Sequence, residues 1–208
     1  AGRRPAALRM AAVTVSDDSA PAAPAAFKAG PWVRELKVRP RSQMEEQEKY
    51  KHDICSPAAL AAVLDYWGVR RDTIAIAKRV KDQRTGAFGN WSFNVAAAAS
   101  FGLEGWVARL NSLEDAEGFI ARGRPVIVSV TFGLGELSGA PIRQTKGHLM
   151  VIMGFTPEGN VIVMDPAGPS RLSTRRIYDR NEFHRAWIVH KRGLAYLLGL
   201  PLQGRMTV

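Results

Sequence analysis

The first regular pattern along the chain predicts a helix directly after Cys55. Its apolar residues recur at helical spacing, at Leu60, Val63, Leu64 and Trp67. Ser56 is a suitable N-cap, Pro57 fits the first turn, and Gly68 can end the helix in the left-handed region. We therefore predict a helix at 56–68.

Three further helices follow from similar patterns. Apolar spacing predicts helices at about 72–81 and 92–101, the second ended by Gly102. The sequence "SLED" at 112–115 is typical of a capping box and predicts a fourth helix that extends to about Ala121.

The pattern changes to strands after Gly123. Apolar runs predict strands at 125–131, 147–155 and 160–165, the last two joined by a turn around 157–159. We expect a short helical turn at 182–187 and a last strand at 194–200. Helices thus precede antiparallel strands, which indicates an α+β fold with the helices on one side of the sheet.

Length and composition limit the number of domains. The chain has 208 residues, 46% of them hydrophobic, which suits one domain with a substantial core. Residues 1–30 are rich in Ala, Pro, Ser and Arg, and we predict a flexible tail or linker there. The folded domain is predicted at 31–208, without an internal repeat, and we expect a monomer.

The net charge of +10 suggests an anionic partner, either nucleic acid or an acidic polymer of the cell envelope. However, the basic residues are scattered in short runs at 122–124, 171–176 and 190–192, without a nucleic-acid-binding motif. We therefore expect no specific nucleic-acid binding. Two interpretations of the positive charge remain: a solvated basic surface, and a surface that binds an acidic polymer of the cell envelope.

Cys55 is the only cysteine, so the chain forms no internal disulfide. The four histidines show no metal-ligand spacing, and we expect neither a metal nor a cofactor. The start of a helix favours a thiolate through its free N–H groups and its dipole. Cys55 is therefore a candidate nucleophile, although most free cysteines are simply small buried residues.

A nucleophilic cysteine needs a base and a group that orients the base. His148 opens one strand of the predicted hairpin, and Asp165 closes the next. A four-residue loop at 155–158 places them directly opposite each other, and one at 156–159 places them one diagonal step apart. Both registers bring the two side chains to the same face of the sheet.

These residues lie in an ordered set of motifs that resembles the C39-like family of cysteine peptidases, which have a papain-like fold. The matching segments are "RSQM" (41–44), "CSPAALAAVLDYWG" (55–68), "GNWSFNVAAAASFGL" (89–103), "GRPVIVSV" (123–130), "GHLMVIMGF" (147–155) and "VIVMDPA" (161–167). The resemblance implies a helical half, with the nucleophile at a helix start, packed on an antiparallel sheet that carries His and Asp.

The resemblance also implies roles for individual residues. Cys55 is the nucleophile, His148 the base and Asp165 the group that orients it, and a glutamine upstream of the cysteine helps to form the oxyanion hole. Papain-like enzymes usually place this glutamine about six residues before the cysteine, where Lys49 stands here. The "SQM" context points to Gln43, with Gln47 as the alternative.

Two other features bear on the site. Many relatives have Gly after the cysteine, where this chain has Ser56. Because this departure and the displaced glutamine both affect the oxyanion site, a non-catalytic homologue is an alternative. Trp91 and Asn94 are predicted either to line the substrate cleft or to form a helix cap with a buried aromatic residue. The glycine-rich loop at 132–147 precedes His148 directly, and such loops often shape access to a site.

The resemblance favours a cysteine peptidase that hydrolyses a peptide or amide bond of a peptide or protein substrate. Two alternatives stay open. One is an acyl or isopeptide transferase with the same three residues, and the other is a non-catalytic homologue that binds the cell envelope. No apolar run is long enough to span a membrane, and the chain does not begin with Met. The missing initial Met and the export that the resemblance to the family implies together suggest a processed bacterial protein, secreted or attached to the cell envelope.

Overall fold

The structure, a computed structural model, describes residues 25–201 together with residues 13, 15 and 23. Most of the predicted tail at 1–30 and the end of the predicted domain at 202–208 lie outside these residues. Phe27 already packs against the domain, because its ring lies against Gly159 and below the guanidinium of Arg180.

Five α-helices are present in the described part of the chain: α1 (Cys55–Tyr66), α2 (Thr73–Val80), α3 (Trp91–Ser100), α4 (Leu113–Ala121) and α5 (Arg180–His184). A π-helical segment, Arg185–Val189, continues α5, so the helical turn predicted at 182–187 is longer than expected. The predicted N-cap Ser112 accepts a hydrogen bond from the Asp115 N–H. No helix within residues 25–201 has the length and apolar character needed to cross a membrane.

Six antiparallel strands form one sheet. They are β1 (Glu104–Arg109), β2 (Val126–Phe132), β3 (Thr145–Phe155), β4 (Val161–Met164), β5 (Arg175–Tyr178) and β6 (Leu194–Gly199), in the order β1-β6-β2-β3-β4-β5. The sequence prediction missed β1 and β5, the two edge strands. Since β1 lies between α3 and α4, the helices do not all precede the strands. The α+β class itself is confirmed.

Helix α1 forms the centre of the core. Every residue from Ser56 to Leu64 is buried, and the helix packs against β3, α2 and α3. A helix that is apolar on all sides is stable only when it is enclosed in this way. Burial of α1 therefore fixes the position of Cys55, at its first turn, relative to β3.

The start of α1 differs from the sequence prediction. Ser56 is not the N-cap, because Cys55 already has helical geometry and Ile54 occupies the cap position without a side-chain hydrogen bond. The first-turn N–H groups of α1 therefore have no side-chain cap. Gly68 has a φ of 84°, as predicted for a residue that ends the helix in the left-handed region.

The β3–β4 hairpin has a five-residue loop, 156–160, rather than the predicted four. A bulge between Ile152 and Gly154 changes the register, so that Val151 pairs with Met164. Beyond the bulge the pairing is the one predicted for the loop at 156–159. His148 and Asp165 are therefore diagonal neighbours on one face of the sheet.

Candidate active site

The structure brings three of the predicted residues together. The Cys55 side chain, partly buried at the start of α1, lies beside His148 on β3, and the two side chains interact. His148 Nε2 lies 2.7 Å from Asp165 Oδ1, which leaves Nδ1 for the contact with Cys55. His148 is 4% exposed and Asp165 is fully buried, so water screens this interaction little.

The site favours a negative charge on Cys55. Burial raises the pKa of the Cys55 thiol, but other groups outweigh it: the hydrogen bond and charge of His148, and the backbone N–H groups of Leu149 and Ser56. The pKa of the thiol therefore lies below its usual value. This is the environment of a reactive cysteine rather than of an inert buried one.

The site also favours a positive charge on His148. Burial lowers the pKa of the imidazole, but the charge of Asp165 and its hydrogen bond, with a smaller contribution from Cys55, raise it to about 10. The pKa of Asp165 is raised by burial and lowered more strongly by His148, the Ala167 N–H and the Tyr178 hydroxyl. Together these shifts favour a thiolate–imidazolium pair beside an ionised carboxylate.

These shifts predict the pH dependence of kcat/KM for peptide cleavage. The rate should rise as the pH passes the lowered pKa of Cys55, because the thiolate forms there. It should fall as the pH approaches about 10, because His148 then loses the proton that the leaving amine needs. The two apparent pKa values of this pH profile belong to the coupled Cys55–His148 pair and not to either residue alone. A cleavage maximum confined to the acid range, with a falling limb near the ordinary histidine pKa, would contradict the assignment.

The two candidate glutamines have different environments. Gln43 lies in the short 3₁₀ helix Gln43–Glu45 and is 5% exposed. Its backbone N–H donates to the carbonyl of Pro166, which places it beside the turn after Asp165. Its Nε2 donates to the Lys51 carbonyl at 2.7 Å, and the amide keeps a second N–H. Gln47 is exposed to solvent.

Trp91 and Asn94 have separate roles in the fold. Trp91 is the first residue of α3, and 38% of it is exposed. Asn94 is completely buried, and its Nδ2 donates to the carbonyls of Phe88 and Asn90. The N-cap of α3 is Asn90. The structure therefore does not place Asn94 on the surface, whereas a substrate contact by Trp91 stays a prediction.

The loop between β2 and β3 borders a cavity of about 700 Å³. The strand ends and the loop line it with Thr131, Phe132, Glu136, Thr145 and Lys146, and His190 lines it from the end of the π-helical segment. Lys146 lies two positions before His148 on β3. Ser138 fixes the loop, because its N–H and hydroxyl both donate to the Glu182 carboxylate.

Sequence reasoning missed two tyrosines beside the site. The Tyr178 hydroxyl donates to Asp165 Oδ2 at 2.8 Å. The Tyr196 hydroxyl lies 3.3 Å from that of Ser56, so the serine side chain connects the first turn of α1 to β6. No local sequence signal marks either residue. Within residues 25–201, no three His, Cys, Asp or Glu side chains converge as metal ligands.

Comparison with known proteins identifies the family. The model of the Peptidase C39 like family matches residues 35–194, most of the chain. The chain therefore belongs to this family, and its class is that of the cysteine peptidases. No curated protein matches the chain.

Solved structures support the same fold. A protein described as a C39-like peptidase from Bacillus anthracis has a TM-score of 0.59 at 17% identity, covering 81% of this chain and 98% of that one. A double glycine motif protease from an AMS/PCAT transporter, solved with the leader peptide, gives 0.55 at 21% identity, covering 80% and 94%. The peptidase domain of Streptococcus ComA gives 0.54 at 19% identity, covering 79% and 99%.

Proposed function

We propose that the protein hydrolyses a peptide or amide bond with Cys55 as nucleophile, His148 as acid and base, and Asp165 as the group that orients His148. The observation that carries the proposal is the continuous chain of contacts from Cys55 through His148 to a fully buried Asp165. A purely structural cysteine has no need of a charged partner that lowers its pKa.

Acylation begins when the Cys55 thiolate attacks the carbonyl carbon of the scissile bond. The carbonyl oxygen becomes an oxyanion, which accepts hydrogen bonds from the Cys55 backbone N–H and the free N–H of the Gln43 amide. The imidazolium of His148 then gives its proton to the leaving nitrogen. The C–N bond breaks, an amine leaves, and a thioester links the acyl group to Cys55.

Deacylation uses the same groups in reverse. The neutral imidazole of His148 removes a proton from water, and the resulting hydroxide attacks the thioester carbonyl. The C–S bond breaks, a carboxylic acid is released, and the Cys55 thiolate and the His148 imidazolium are restored. Asp165 stays ionised throughout and stabilises the positive charge on the ring.

The substrate is proposed to be a peptide or a protein segment. In support, the related protease from an AMS/PCAT transporter was solved with a leader peptide. The cavity of about 700 Å³ between the ends of β2 and β3 has room for part of a peptide, and Lys146 in its lining lies two positions before His148 on the same strand. Trp91, partly exposed at the start of α3, is a candidate for the wall of the cleft.

An acidic polymer of the cell envelope is a proposed additional partner. Three arginines, Arg39, Arg41 and Arg70, lie within 3.8 Å of the one carboxylate of Asp65, so their positive charge exceeds its negative charge. This cluster adds a local argument to the net charge of +10. A secreted or envelope-attached location would fit such a partner and stays a prediction.

Incubation with a random peptide library, followed by mass spectrometry, tests the proposed activity. We expect new peptide ends from the wild-type protein and none from Cys55→Ala, because the variant lacks the nucleophile. The Ser100→Ala variant is the control, since Ser100 is an exposed residue at the end of α3.

The same assay separates hydrolysis from acyl transfer. When a simple amine is added at high concentration, we still expect free carboxylic acids as the main products. Predominant amide products would favour the transferase alternative. Absence of cleavage, together with tight binding of peptides by both the wild type and Cys55→Ala, would favour a non-catalytic binding module.

A further inference from the structure

The Asp165 carboxylate has a distinct set of partners on each oxygen. Oδ1 lies 2.7 Å from His148 Nε2 and accepts the Ala167 N–H at 2.9 Å. Oδ2 accepts the hydroxyl of Tyr178 at 2.8 Å. Asp165 is completely buried and Tyr178 is 1% exposed, so solvent does not replace these partners.

Tyr178 itself is held rigidly. It is the last residue of β5, where it pairs with Val161 of β4. Its ring stacks on that of Phe183, with centroids 6.0 Å apart and planes inclined by 20°. Phe183 in turn packs against Trp187, which is fully buried. The strand and the stacked rings together fix the direction of the hydroxyl.

A buried carboxylate stays ionised only when donors compensate the loss of water. Because Tyr178 donates to Oδ2, it supplies part of that compensation. It also fixes the plane of the carboxylate, so that Oδ1 faces the imidazole. Burial and the charge of Asp165 raise the pKa of Tyr178 far above its usual value, so the hydroxyl keeps its proton and remains a donor.

We propose that Tyr178 is a positioning residue for the catalytic reaction, acting through Asp165. It keeps the carboxylate ionised and aligned, and thereby contributes to the lower pH limit at which the Cys55–His148 ion pair exists. The proposal rests on the proposed function of Cys55, His148 and Asp165. It assigns Tyr178 no direct contact with the reacting atoms.

The charged and titratable groups around Asp165 are few. His148 faces it from β3 and Tyr178 from β5, and Cys55 on α1 contacts the far side of the His148 ring. Arg176, also on β5, affects Tyr178 by its charge. Loss of the Tyr178 hydroxyl removes one of the groups that lower the pKa of Asp165. The pKa of Asp165 should then rise, and the ion pair should fail at a higher pH.

The test measures the rate of Cys55 alkylation by iodoacetamide as a function of pH in the 208-residue chain. In Tyr178→Phe, loss of a hydrogen bond to a charge should raise the pKa of Asp165 by about one unit, and the acid limb of Cys55 alkylation should move up by part of that amount. The kcat for cleavage should fall about tenfold with little change in KM. Tyr66→Phe is the matched control, because its hydroxyl donates only to the Gly123 carbonyl. This variant should change neither the acid limb of alkylation nor the kcat for cleavage.

An acid limb in Tyr178→Phe that coincides with that of the wild type, with only a lower melting temperature, would overturn the proposal. If Tyr178→Phe does not fold, 3,5-difluorotyrosine at position 178 replaces it, because it is a stronger donor of similar shape. The acid limb should then move down, and an unchanged limb overturns the proposal. An unreactive Cys55 in the wild type contradicts the proposed function itself, whereas a reactive Cys55 with unmoved limbs contradicts only the role of Tyr178.

Discussion

Replacing His148 with alanine is expected to slow peptide cleavage by roughly 10⁴-fold, the upper range for loss of a general acid and base. The ring contacts both Cys55 and Asp165, so its removal leaves the thiol without the charge that lowers its pKa. The leaving nitrogen also loses its proton donor. Single-turnover rates on one cleavable peptide measure this effect. The exposed His52 provides the control variant His52→Ala, which should keep the wild-type rate.

Asp165→Asn should have a smaller effect of a different kind. Asparagine keeps a similar shape but lacks the charge, which is the main factor that raises the pKa of His148 to about 10. The alkaline limb of the cleavage rate should therefore move down towards the ordinary histidine value of about 6.5. An alkaline limb that stays in place in Asp165→Asn would show that Asp165 does not act on His148.

Replacing Gln43 with alanine is expected to slow acylation by roughly 10²–10³-fold, the cost of one oxyanion donor. Gln43 is buried beside the turn after Asp165, and its amide keeps one N–H beyond the bond to the Lys51 carbonyl. Gln47, the alternative candidate, is exposed. The matched control is therefore Gln47→Ala, which should keep the wild-type rate.

Single-turnover acylation of the two variants decides between the glutamines. A wild-type rate in Gln43→Ala together with a slow Gln47→Ala would transfer the role to Gln47. Wild-type rates in both variants would indicate an oxyanion hole formed by backbone N–H groups alone. The melting temperature should change little in either variant, because neither substitution opens a cavity in the apolar core.

The central elements of the fold could be predicted because they are strongly apolar. The buried helix α1 and the strands β2, β3, β4 and β6 all carry continuous or helically spaced apolar residues. The edge strands β1 and β5 could not be found in this way. Strand β5, "RRIY", is mostly exposed and charged, as is common at sheet edges, and only Tyr178 is buried.

The candidate site could be predicted in part for a related reason. Cys55, His148 and Asp165 stand out because ionisable side chains interrupt or border apolar elements. Tyr178 gives no such signal, since a tyrosine at a strand end is common and its contact with Asp165 depends on the sheet. The bulge at Met153 was also not predictable, although it restores the register that joins His148 to Asp165.

Asn94 shows the limit of a motif taken by itself. A polar residue near a predicted cleft suggested substrate binding, but its side chain points into the helix–loop junction and bonds to two carbonyls. Ser56 is similar, because the local sequence is suitable for an N-cap, whereas the helix begins one residue earlier. Asn94 is also not the predicted helix cap, because Asn90 has that position.

The central claim is that Cys55 is a reactive thiolate that depends on His148, and alkylation of the native protein tests it most directly. The native wild-type protein should react rapidly with iodoacetamide at neutral pH, with the label mapped to Cys55 by mass spectrometry. The folded His148→Ala variant should react far more slowly, because the pKa of its thiol returns towards or above the free value of about 8.5. Labelling that occurs only after denaturation, or at equal rates in both proteins, would contradict the account.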